Sequence, residues 1–127
     1  MNVLYTSMRP MGSIRISSRN QNICLRSFCN KYNMAFSLPI PEFVYPNCFV
    51  QLFNIIKSPS YQGSNLVFYS VNQFSDYKGD ISTISHILLE SFCSVSFALE
   101  DQSFTSTQIS DFVNFMSINT TVSPLAQ

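Results

Sequence analysis

Residues 80–99 read DISTISHILLESFCSVSFAL, and the parsing of this stretch decides how the rest of the chain is read. Apolar Ile81, Ile84, Leu88, Phe92, Val95 and Leu99 recur at spacings of three and four, which average the 3.6 residues of a helical turn. Asp80 stands where a capping carboxylate would accept the first free amides. The spacing therefore predicts one helix over 81–99, with His86, Glu90 and Ser94 off the stripe and Glu100 and Asp101 at its exit.

Downstream, Thr105 and Gln108 have the spacing of a capping box, and Phe104 with Ile109 could form the hydrophobic staple. Ile109, Phe112, Val113 and Met116 then give one apolar face, so a second helix is expected near 105–118, antiparallel to the first. Upstream, Leu66 to Phe74 is rich in β-branched and aromatic residues and predicts a strand near 66–74. A polar turn at Asp76–Asp80 ends it. Phe49, Leu52, Phe53 and Ile56 suit a short helix near 48–57, begun by Asn47 and stopped before Pro59, with a buried strand as the alternative. Pro59, Gly63 and Asn65 mark the loop between.

The first forty residues have a different character. Arg9, Arg15, Arg19, Arg26 and Lys31 are five of the seven basic residues, and no acid precedes Glu42. With Ser7, Ser13, Ser17, Ser18 and Ser27 interspersed, residues 1–40 match the composition of an organelle transit peptide or of a disordered basic tail. Arg15, Arg19 and Arg26 share one helical arc with Met11, Ile14, Leu25 and Phe28 to one side of it, while Ile16 and Ile23 fall opposite. Residues 41–46, the end of a stretch holding Pro39, Pro41 and Pro46, read as a linker. The expected organisation is thus a leader over 1–40, a linker over 41–46, a single folding region over 47–118 and a tail over 119–127. The fold class expected is a small, mostly helical α+β arrangement with its N-terminal third weakly ordered.

Composition narrows the function classes. Charged residues form only 11% of the chain and their signs cancel, while 21 Ser and 11 Asn supply the polarity. Nucleic-acid binding needs clustered cations, and only Lys57 and Lys78 follow residue 31. The 12 Phe and 6 Tyr, without Trp, point to core packing or to an apolar patch for a protein partner. Membrane association is not favoured, because His86 and Glu90 interrupt the most apolar stretch.

Candidate chemistry is sparse. Cys24, Cys29, Cys48 and Cys93 match no zinc spacing, though Cys24, Cys29, Cys48 and His86 could be written as a set. His86 is the sole histidine, with Glu90 one turn on, and Cys93 lies roughly 10 Å further along a helix. Gly12, Gly63 and Gly79 are isolated, so no phosphate-cradling loop can be assembled. Asp76 and Asp80 suffice as turn and cap residues, and Asn119-Thr120-Thr121 is a glycosylation sequon. No catalytic, cofactor or metal residue is assigned, no cofactor is expected, and an enzyme is not. A chain heavy in Phe and Ser yet poor in Lys, Glu, Ala and Gly also resembles a complementary-strand reading. The functional expectation is a small protein without identifiable biochemical activity, the product of a dubious or antisense reading frame. The alternative is a non-enzymatic protein-interaction module sent to an organelle by its basic leader, mitochondrial by that leader and cytoplasmic otherwise.

Overall fold

In the computed structural model, residues 1–11 and 14–125 are described. Five strands form one mixed sheet: β1 (Asn2–Thr6), β2 (Ile40–Pro41), β3 (Asn65–Phe68), β4 (Ser94–Phe97) and β5 (Gln102–Thr105). Four helices connect and cover them: α1 (Ser18–Lys31), α2 (Val50–Lys57), α3 (Ile81–Ser91) and α4 (Ile109–Leu125). The order across the sheet is β2-β1-β3-β4-β5, with β5 alone antiparallel to its neighbour.

The strand β1 carries the largest correction to the sequence reading. The described residues of 1–40 are not weakly ordered, because β1 pairs with β2 on one side and with β3 on the other, in register Asn2↔Asn65 to Tyr5↔Phe68. Val3, Leu4 and Tyr5 are all buried. A parallel strand covered on both faces shows a continuous apolar run without alternation, so its signal is short and easily outweighed by the basic composition around it. β2 spans the boundary between the expected leader and linker, pairing Tyr5↔Ile40 and Thr6↔Pro41, and the buried Glu42 follows it directly.

The connection from β1 through α1 leads outward to β2. The next connection, through α2, passes back over β1 to β3. Helices consequently lie on both faces. Leu25, Phe28 and Cys29 of α1 pack on Leu4, Val67 and Ala98. On the opposite face Leu52, Ile55 and Ile56 of α2, Ile84, Leu88 and Leu89 of α3, and Phe112 and Met116 of α4 cover Val3, Tyr5, Leu66, Phe68, Val95 and Phe97. Each fully buried Leu, Ile or Phe side chain contributes roughly 1.5–3 kcal/mol relative to exposure. The architecture is therefore doubly wound α/β, not a mostly helical α+β arrangement.

Residues 80–99 show why the periodicity misled. The helix starts as expected, with the Asp80 carboxylate accepting from Thr83 N at 2.9 Å. It stops at Ser91, and Phe92 turns extended (φ −122°, ψ 151°). Ser94–Phe97 is β4, whose Val95 and Phe97 join the large core while Ser94 and Ser96 face the α1 side. The apolar spacing that continued the helical stripe was equally a period of two, and pairing with β3 decided between them. The expected strand at 66–74 ends at Phe68, and Val71–Phe74 forms a 3-10 turn. Near 105–118, β5 precedes a 3-10 turn over Ser106–Gln108, with the Thr105–Gln108 capping box in place, and α4 then runs beyond the expected end. The helix expected near 48–57 is observed as α2, but it starts at Val50 with Phe49 and not Asn47 at its N-cap.

Candidate functional site at the carboxyl ends of the strands

In an open doubly wound sheet, the crevice for ligands lies outside the carboxyl ends of the strands, where successive connections leave in opposite directions. Here that point falls between β1 and β3. The loops that meet there carry polar and charged groups from segments far apart in the chain.

The loop after β1 is anchored inward. Gln21 of α1 accepts the Ser7 amide through Oε1 (3.0 Å) and donates through Nε2 to Ser7 O (2.5 Å) and Ile16 O (3.0 Å). Two residues on, Arg9 is 1% exposed. Its Nε meets Asp76 Oδ2 at 3.1 Å, Nη1 donates to Cys48 O at 2.6 Å and Nη2 to Gln73 O at 2.9 Å. The guanidinium also lies 4.2 Å from the centroid of the Phe49 ring. One side chain thus ties together the segments after β1, before α2 and after β3. Asp76 accepts the Asn47 amide as well (2.9 Å), at a residue whose φ of 58° lies in the left-handed region that Asn tolerates better than most.

Two further carboxylates organise the same end. Glu42 accepts from the Tyr5 hydroxyl (2.7 Å) and from the amides of Phe43, Gln51 and Leu52, the last two in the first turn of α2. With the Cys48 thiol, which donates to Oε2 at 3.6 Å, five donors converge on one buried carboxylate, which suits the positive end of a helix. Burial first, and the Glu42 carboxylate second, push the Tyr5 phenol well above its usual range. Glu100, past β4, accepts from Ser70 Oγ (2.7 Å) and Val71 N (3.0 Å) and so caps the 3-10 turn after β3. The Cys24 thiol is pushed up by burial and then by Glu100, and Tyr69 is pushed up by burial, then by Cys24 and Glu100. Gln73 is 2% exposed; its Oε1 accepts Ser70 N at 3.2 Å, and its Nε2 is buried without an acceptor among the described residues.

The groups singled out in the sequence lie elsewhere or apart. His86, Glu90 and Cys93 line an open groove of about 620 Å³ with Gln62, Gly63 and Ile109, at the amino ends of β3 and β4. His86 is exposed, with Nδ1 2.8 Å from Ser82 O, and no ion pair joins it to Glu90 among the described residues. Cys24 and Cys29 belong to α1 and Cys48 precedes α2, while His86 sits on α3, so the set that could be written for zinc is not assembled. Among the described residues no group of three or more metal-ligating side chains is close enough to hold an ion, and the cysteines are free. No described helix is long and apolar enough to cross a membrane.

Sequence reasoning passed over Arg9, Gln21, Glu42, Gln73 and Glu100. Their one visible signal was position: Arg9 and Glu42 each stand as a single charge, and Glu100 with Asp101 as a pair, beside a short apolar run in a chain with few charges. Comparison with family models, curated proteins and solved structures finds no match.

Proposed function

We propose that the protein is a non-enzymatic binding module for a small anionic molecule, seated in the crevice between the loops after β1 and β3. The observation that carries this reading is the strand order, which puts a reversal of connection between β1 and β3 above the polar groups just described. Charge supports the anion. Asp76 is engaged by Arg9, and Glu100 caps a turn. Arg15 and Arg19, exposed beside the amino end of α1, have no acidic partner among the described residues. The first turn of α1 contains no acid either, so its partial positive charge is not neutralised. Binding is favoured over catalysis because every nitrogen of the Arg9 guanidinium and both oxygens of Glu42 already serve the protein's own backbone and side chains.

The test is an amide-proton NMR titration with inorganic phosphate, a nucleoside monophosphate and citrate. Shifts should concentrate in residues 7–11, 17–20 and 70–73, and should weaken in Arg15→Ala/Arg19→Ala. Shifts centred on the His86 groove instead would reject the assignment, as would none at all. The reading suggested by composition, an unselected frame without activity, competes with this one and forecasts a broad, non-cooperative urea profile. The organelle-targeted interaction module draws support from the exposed Phe43, Val44 and Tyr45. In its cleaved form it meets a physical obstacle, since removal of residues 1–40 would take β1 and α1 out of the fold.

A further inference from the structure

Lys57 and Lys78, the two basic residues beyond position 31, line the same surface groove although they are far apart in sequence. The groove, about 420 Å³, runs between α2 and the loop before α3, and its apolar floor is Phe49, Val50, Phe53 and Tyr77. Phe49 and Tyr77 meet edge to face, with centroids 5.2 Å apart, which fixes the end nearer Lys78. Val50, Phe53 and Lys57 follow at three and seven residues along α2, so Lys57 lies roughly 10 Å down the helix from Val50. Neither lysine has a salt-bridge or hydrogen-bond partner among the described residues. The acids nearest in sequence are already engaged, Asp76 by Arg9 and Asp80 by Thr83. Val50 is exposed and Phe53 and Tyr77 half-buried above the buried Phe49, and an apolar strip with two uncompensated cations beside it calls for an occupant with the inverse pattern.

We propose that this groove docks an acidic amphipathic peptide segment of a partner protein, whose apolar side chains lie on Val50, Phe53 and Tyr77 and whose carboxylates face Lys57 and Lys78. Two cations from different segments beside an apolar strip favour an occupant that carries apolar side chains and several carboxylates together, which a peptide does and a small carboxylate does not. Openness selects it too, because a drug-sized ligand is held where most of its surface is enclosed, whereas an apolar helix face laid in a groove leaves its other side in water. The groove adjoins the junction held by Arg9 and Asp76, sharing Asn47 and Phe49 with it, but Lys57 and Lys78 take no part in that junction.

The test uses the full chain and a fluorescein-labelled synthetic peptide with Phe and Leu one helical turn apart among Glu and Asp, read by fluorescence anisotropy. Saturable binding is expected, weakening several-fold when salt rises from about 0.05 M to 0.5 M as the charges are screened. The Lys57→Glu/Lys78→Glu variant should lose at least about tenfold in affinity, which is about 1.4 kcal/mol. Both lysines are exposed, so its urea midpoint should match that of the parent. A peptide with Ser in place of Phe and Leu should not bind. Equal affinity for the variant would overturn the proposal, as would equal affinity for a peptide with Lys replacing its acids, or no binding by the parent chain.

Discussion

Replacing Arg9 by Met keeps most of the apolar stem in place and deletes the guanidinium, which tests whether the junction of β1, α2 and β3 depends on that group. Two carbonyls, Cys48 O and Gln73 O, lose their donors, and Asp76 keeps the Asn47 amide but loses its counter-charge. Breaking a buried ion pair from one side costs about 3–5 kcal/mol, because the partner charge stays behind. The Asp76 side chain is 26% exposed, so the lower half of that range applies. Against a total of about 5–15 kcal/mol for a domain, this is a large fraction. With a urea slope near 2 kcal/mol per molar, the midpoint should fall by about 1.5–2 M. The assay is equilibrium urea unfolding followed by far-UV circular dichroism. Adding Asp76→Asn to the variant should restore on the order of 1 kcal/mol, since no unpaired charge then remains. A midpoint shift below about 0.5 M for Arg9→Met would refute the reasoning, by showing that the guanidinium is replaceable.

Removal of residues 1–35 should abolish cooperative unfolding, because it deletes a strand paired on both sides; a sharp transition in the remainder would contradict the sheet described. The Asp101 carboxyl is held low by the Lys31 ammonium and then the Tyr32 hydroxyl, and Asp80 by the Thr83 hydroxyl and amide. Both therefore add stability that is present above the ordinary carboxylate value and lost as pH falls below about 4. Lys31 is held high by Asp101, so its share is present below about pH 10 and lost above it. Urea midpoints across pH should show both losses, and Asp101→Asn should flatten the alkaline one. Among the thiols, exposed Cys93 should react first with a disulfide reagent at neutral pH. Cys29, buried with its thiol pushed up by that burial, should react only on unfolding, as timed by absorbance.

What could be read in the sequence was whatever depends on neighbours a few residues away. The Asp80 cap, the Thr105–Gln108 box, α2 and the start of α3 are all local hydrogen-bonding or spacing features, and they are present. Apart from part of β3, the sheet was not legible, because its strands are four or five residues long with β2 only two, and the parallel pairs join segments far apart in sequence. Val3-Leu4-Tyr5 and Val95-Ser96-Phe97 flank β3 and are fixed as strands by pairing with it as well as with their outer neighbours. The carboxyl-end cluster follows the sheet: Arg9 and Asp76 are 67 residues apart, and nothing about either residue alone names the other.

The placement of the first strand also sets the order of events during synthesis. Asn2 pairs with Asn65, 63 positions later, and β2 and β3 both leave the ribosome long after β1. Until then Val3, Leu4 and Tyr5 form a greasy segment with both edges open, the state in which nascent chains recruit chaperones or stick to one another. Parallel pairing over such distances makes folding slow for a chain of this size, so yield in the cell should depend on the pace of translation between β1 and β3.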